Sequence, residues 1–116
     1  MHEEGSIVLF KFPQTDHGIG KLRPALIVRK LPGKFDDWLI CMISSQLHHC
    51  QLSFDEIINS EDNDFIQSGL KLPSVIRLTR LAVVEQNLLL GKLGEIDTER
   101  LLRLKTNLCQ WIKDKN

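Results

Sequence analysis

The sequence predicts a mainly β fold, a small and strongly bent antiparallel barrel closed by one C-terminal helix, with residues 1–116 as a single domain. Three observations predict it. Short runs of β-branched and aromatic residues, punctuated by Pro and Gly, recur between residues 5 and 85. The run Trp38-Leu39-Ile40-Cys41-Met42-Ile43 is apolar without a break, as expected of a strand covered on both faces. After Ile96 the period changes, and apolar residues return every three or four positions to the end of the chain.

Taken in order, Gly5 to Phe12 reads as the first strand and stops at Pro13. A polar loop with two glycines, Gln14 to Leu22, leads to Arg23-Pro24, which opens a second strand through Lys30; proline is tolerated there because it stands at the strand start. Leu31-Pro32-Gly33-Lys34 makes a turn, and Trp38 to Ser45 is the third strand. From Leu47 to Leu72 the pattern weakens: Gln51 to Phe54 suits a short strand, Asn59 to Asp64 is too polar to pack, and a mobile excursion is expected. Ser74 to Thr79 and Leu81 to Val84 form two further strands or one bent strand. Leu88 to Gly91 is read as a connector. Asp97 is placed to cap a helix of about residues 97–113, with Glu99 in its first turn and Leu101, Leu104, Leu108, Trp111 and Ile112 on one stripe. About five short strands and one packing helix give an SH3-like shape.

The 116 residues are 42% hydrophobic and 26% charged, an ordinary globular balance. A chain of this size buries roughly 65% of its unfolded surface, enough for a core without disulfide or metal staples. No apolar run approaches the ~18 residues of a membrane span. The acidic start Met1-His2-Glu3-Glu4 lacks the pattern of a signal peptide, so a cytoplasmic protein with no membrane contact is expected. Three widely spaced cysteines, Cys41, Cys50 and Cys109, suit reduced thiols that act as small apolar residues. The 15 basic and 15 acidic side chains balance but are segregated: no Lys or Arg lies between Lys34 and Lys71, a stretch holding Asp36, Asp37, Asp55, Glu56, Glu61, Asp62 and Asp64. Either a polyanion binds the basic side while the acidic part stays away from it, or the acidic stretch is simply a solvated loop.

No phosphate-cradling glycine loop, nucleophile elbow, Cys-x-x-Cys or His-Glu-x-x-His occurs, which disfavours cofactor chemistry. His48-His49-Cys50, following Cys41, matches no zinc spacing and is equally well explained as polar loop residues, so no metal is expected. The more informative residues are scattered. Arg23, at the entrance to the second strand, suits either bidentate phosphate binding or a surface ion pair. Ser44 and Ser45 end a buried strand and face opposite ways, so at most one shares a groove with Arg23; the alternative is two hydroxyls satisfying backbone. Alternation puts Arg77 and Thr79 on one face, and Arg77 within an apolar strand needs an anion. His17, in the first loop, is the nearby side chain whose ordinary pKa suits proton transfer, although a lone loop histidine is often inert.

Gly5-Ser6-Ile7-Val8-Leu9-Phe10, Lys21-Leu22-Arg23-Pro24-Ala25-Leu26-Ile27-Val28, Ile43-Ser44-Ser45-Gln46, Gly69-Leu70-Lys71-Leu72-Pro73-Ser74-Val75-Ile76-Arg77 and Leu93-Gly94-Glu95-Ile96, in that order, resemble the MazF/PemK family of toxin endoribonucleases from bacterial toxin-antitoxin systems. The resemblance spans about the whole chain. It implies an SH3-like barrel with a C-terminal helix, usually a homodimer, that cuts single-stranded RNA without metal or cofactor and is neutralised by a cognate antitoxin. It further implies catalytic roles for Arg23 and Ser44, with serine in place of the commoner threonine. Some members add a first-loop histidine and an Arg-x-Asp pair; His17 and Arg77 match these places, whereas Thr79 stands at the aspartate position and Asp16 is the nearest match to a first-loop acid. Catalytic His17 and Arg77, and substrate-binding Lys21, Ser45, Gln46 and Thr79, complete the expected site. The alternative is a barrel without catalysis that binds RNA or antitoxin.

Overall fold

The three strongest β runs form the middle of one sheet. The computed structural model describes residues 2–12 and 21–114 and places β1 at Ser6–Phe12, β2 at Lys21–Lys30 and β3 at Asp37–Ser44. Three more strands follow: β4 at Glu56–Ile58, β5 at Ser74–Glu85 and β6 at Leu89–Glu95. The order across the six-stranded sheet is β4-β5-β3-β2-β1-β6, antiparallel at each pairing. A one-turn helix α1, Phe65–Ser68, precedes β5, and α2, Thr98–Lys113, ends the chain.

Strand alternation divides the buried residues between the two faces of the sheet. On one face Ile7, Leu26, Val28, Cys41, Ile43, Ile76 and Leu78 pack against Leu101, Leu104 and Leu108 of α2. On the other face Val8, Phe10, Ala25, Ile27, Trp38, Ile40 and Leu89 form a second, smaller cluster. The double apolar character of β3 is thus explained, since it contributes to both clusters. The Asp97 side chain accepts from the Arg100 backbone N–H at 2.8 Å and caps α2 as its sequence position predicts. Trp111 and Ile112 depart from the expected stripe: at 60% and 65% exposed they lie in the last turn, beyond the buried leucines.

The sheet is not closed into a barrel, which corrects the expected architecture. Among the described residues its edges are β4 and β6, and β4 is only three residues long. Instead of pairing with β4, β6 is approached by α1. A Cβ on Gly94 would overlap the carbonyls of Gln67 and Ser68, and one on Gly69, whose φ is +75°, would overlap the Leu93 carbonyl.

Three local expectations also change, and for Ser74 to Val84 the one-strand alternative holds. Gln51 to Phe54 is a turn, because Asp55 accepts the Gln51 N–H at 2.9 Å and β4 starts only at Glu56. The run of residues 59–64 does pack at its end, with Asp64 buried at 1% exposure. Leu88 to Gly91 is not a connector, since Leu89 starts β6 and pairs with Phe10. Ser74 to Val84 is one strand whose pairing to β3 jumps: Met42 faces Arg77 while Cys41 faces Leu81.

Candidate functional site

The face opposite α2 carries three of the polar residues singled out by the sequence, Arg23, Ser44 and Arg77. Ala25 pairs with Met42, and Met42 pairs with Arg77, so these three side chains share that face. Two residues along their strands, Arg23 and Ser44 share it too, and the antiparallel register run on from Ala25–Met42 sets them across from one another. Arg23 also pairs with Phe10, which anchors it beside the second apolar cluster. Pro24, at the start of the buried stretch of β2, points the other way.

Arg23 and Arg77 are half-buried, and neither guanidinium has an ion-pair partner among the described residues. Arg77 Nε is fully buried and without a hydrogen-bond partner there. A buried donor left open costs about 1–3 kcal/mol, a cost that no described residue offsets at Arg77. Three of the seven carboxylates of the acidic stretch are engaged elsewhere: Glu56, Asp62 and Asp64 hold Arg100, and Glu56 also holds Arg103. Part of the acidic stretch is thus not a solvated loop: Glu56, Asp62 and Asp64 are bound to α2.

Ser44 Oγ accepts the Gln46 backbone N–H at 3.0 Å and lies 3.3 Å from His49 Nδ1. The 3-10 turn Leu47–His49 reverses the chain just past β3 and brings the imidazole back to the strand end. Loss of surrounding water, then the Arg77 charge, then His48 and Arg80, hold His49 below the ordinary histidine pKa, so its neutral form is favoured. His49 was readable only as part of a weak metal-like cluster; the missed signal is a histidine shortly after a strand-ending serine, with a turn between them. Among the described residues, no group of three or more His, Cys, Asp or Glu is arranged to hold a metal.

The remaining expected residues are placed as follows. Lys21 starts β2 and is exposed, and Ser45 and Gln46 are exposed just beyond β3. His17 and Asp16 lie outside the described residues. Thr79 does not follow Arg77 in simple alternation, because Leu78, Thr79 and Arg80 stand between the paired Arg77 and Leu81. Its hydroxyl donates to Asp55 Oδ2 at 3.1 Å and its N–H to Oδ1 at 3.1 Å, so Asp55 pins the irregular part of β5. All three cysteines are free; burial first, then the Asp55 charge, push the Cys41 thiol far above its ordinary value, which leaves it an inert apolar group.

No curated protein matches the chain. A family model described as PemK-like, MazF-like toxin of type II toxin-antitoxin system matches residues 3–112, from before β1 to the last turn of α2. The match embraces every strand that carries Arg23, Ser44 and Arg77, and the chain belongs to the PemK-like, MazF-like family of toxins of type II toxin-antitoxin systems.

Proposed function

We propose that the protein is an endoribonuclease that cuts single-stranded RNA by attack of a ribose 2′-hydroxyl on the adjacent phosphorus, without a metal ion. The observation that supports this most is the shared face of Arg23, Ser44 and Arg77, where two guanidiniums with no carboxylate partner among the described residues lie on the strands either side of a hydroxyl. In the reaction the 2′-oxygen forms a bond to phosphorus and the P–O5′ bond breaks, leaving a 2′,3′-cyclic phosphate and a 5′-hydroxyl. Negative charge grows on the non-bridging oxygens, and Arg23 with Arg77 neutralises it. Ser44 holds a phosphate oxygen or the attacking hydroxyl. Lys21, Ser45, Gln46 and Thr79 are the substrate-binding residues of this reading. In-line attack needs a splayed nucleotide, which an A-form duplex does not present.

Antitoxin binding and homodimer formation accompany this reading. A cleft of about 760 Å³ edged by the exposed Leu52, Leu81 and Trp111 supports a protein partner. No described helix is long and apolar enough to cross a membrane, consistent with a toxin acting on cytoplasmic RNA.

Replacing the nucleotide 5′ to the cut by its 2′-deoxy form tests the reaction. In excess EDTA the protein is expected to cut the all-ribose strand and leave the substituted linkage intact; cutting of that linkage, or a need for divalent cations, would contradict the mechanism. Engagement of the Thr79 hydroxyl by Asp55, which takes it from substrate, favours one second reading, a module that binds RNA or antitoxin without cutting. Binding with no cleavage in the same assay identifies that case.

A further inference from the structure

Resting on the ribonuclease reading above, we infer that His49 takes up the proton of the attacking 2′-hydroxyl, acting through Ser44. The chain geometry assigns the pair. Gln46 N–H already donates to Ser44 Oγ, so the hydroxyl's own proton is left to be donated, and His49 Nδ1 stands 3.3 Å away to accept it. This requires the tautomer with its proton on Nε2. The His48 ring meets His49 edge-on at 4.5 Å between centroids, which limits how the imidazole can turn. The charged and titratable groups facing His49 are Arg77 and Arg80 from β5 and His48 from its own turn, and all three act against a second positive charge on the ring. A base that is neutral near pH 7 is what proton uptake requires.

The step balances as follows. The 2′-O–H proton passes to Ser44 Oγ as the Ser44 proton passes to His49 Nδ1, and the 2′-oxygen lone pair forms the O–P bond. The P–O5′ bond breaks, its electron pair leaves on the 5′-oxygen, and water supplies the proton that makes the 5′-hydroxyl. The hydroxide so formed removes the proton from His49. Ser44 is the catalytic residue in contact with substrate, and His49 is the positioning residue that sets its protonation. Both lie on the Arg77 side of the sheet, close to where the phosphate is expected.

The test compares wild type with His49→Gln, Ser44→Ala and the double variant, on single-stranded RNA in excess EDTA, across about pH 4.5 to 8.5. Wild-type kcat is expected to rise with pH through a midpoint below about 6.5. His49→Gln is expected to lower kcat by roughly 10²–10⁴-fold and to lose that acidic limb. It should bind a non-cleavable 2′-deoxy strand within about twofold of wild type and keep the wild-type Tm, since the side chain is exposed. The double variant should be no slower than Ser44→Ala alone. A His49→Gln protein that cuts at the wild-type rate with the acidic limb intact overturns the assignment while leaving the ribonuclease reading in place. So does equal loss of binding and rate. A wild-type protein that cuts no RNA overturns both.

Discussion

Arg100 Nε donates to Asp64 Oδ2 at 2.8 Å across 36 residues of sequence, and the pair ties α2 to the segment between β4 and α1. Every donor of this guanidinium has an acceptor: Asp64 takes two, Glu56, Asp62 and the Ile57 carbonyl one each. Asp64 Oδ2 also accepts the N–H of Asp97, the α2 cap, so helix start and acidic segment are locked by one carboxylate. This network engages Glu56, Asp62 and Asp64, so these three carboxylates do not pair with Arg23 or Arg77.

Removing the cation alone leaves three carboxylates crowded together. Arg100→Met is expected to cost about 3–5 kcal/mol of unfolding free energy, read from a denaturant midpoint. A loss below about 1 kcal/mol would mean that the network contributes little.

The same pair sets an acid limit. Burial alone would raise the Asp64 carboxyl, but hydrogen bonds from Arg100 and the Asp97 N–H, with the Arg100 charge, hold it below the ordinary carboxylate range. Because the folded value is depressed, the stabilisation is complete above the unfolded value of about 3.9 and is lost as pH falls through the folded one. Denaturant midpoints should therefore fall on acidification below about pH 4, and less steeply in Arg100→Met. Equal slopes for the two proteins would assign the acid sensitivity to other groups.

Arg77 is expected to trade stability for activity. Its buried Nε has no partner among the described residues, so Arg77→Met removes a cost of about 1–3 kcal/mol while keeping much of the volume. The variant should melt at the wild-type temperature or a few degrees above it, and cut RNA about 10²–10³-fold more slowly. A fall in Tm of several degrees would show that the guanidinium serves the fold.

At the open edge, Gly94→Ala forces a methyl group into the Gln67 and Ser68 carbonyls. It should cost about 1–3 kcal/mol and speed hydrogen exchange of residues 65–69. Unchanged exchange would indicate that α1 does not depend on that approach.

The elements legible in the sequence are those whose cause is local. Pro13, the Pro32-Gly33 turn and the apolar run of β3 delimit the central strands, and Asp97 with Leu101, Leu104 and Leu108 defines α2. β6 was hidden because its leucines, Gly91 and Gly94 lack β-branched character, and it becomes a strand only by pairing with β1. Asp64 looked too polar to bury because its partner lies on another element. On the candidate site, alternation said that at most one of the two serines shares the Arg23 face and left open which, and it could not foresee the register jump at Thr79 or the turn that returns His49 to Ser44. Both depend on Asp55 and on a chain reversal, not on period.

The most direct measurement is the chemical nature of the ends left on a long single-stranded RNA incubated with the protein in excess EDTA. The account predicts 2′,3′-cyclic phosphate and 5′-hydroxyl termini that disappear when Arg23→Ala replaces the wild type. Termini of 3′-hydroxyl and 5′-phosphate, or cutting undiminished in Arg23→Ala, would contradict it.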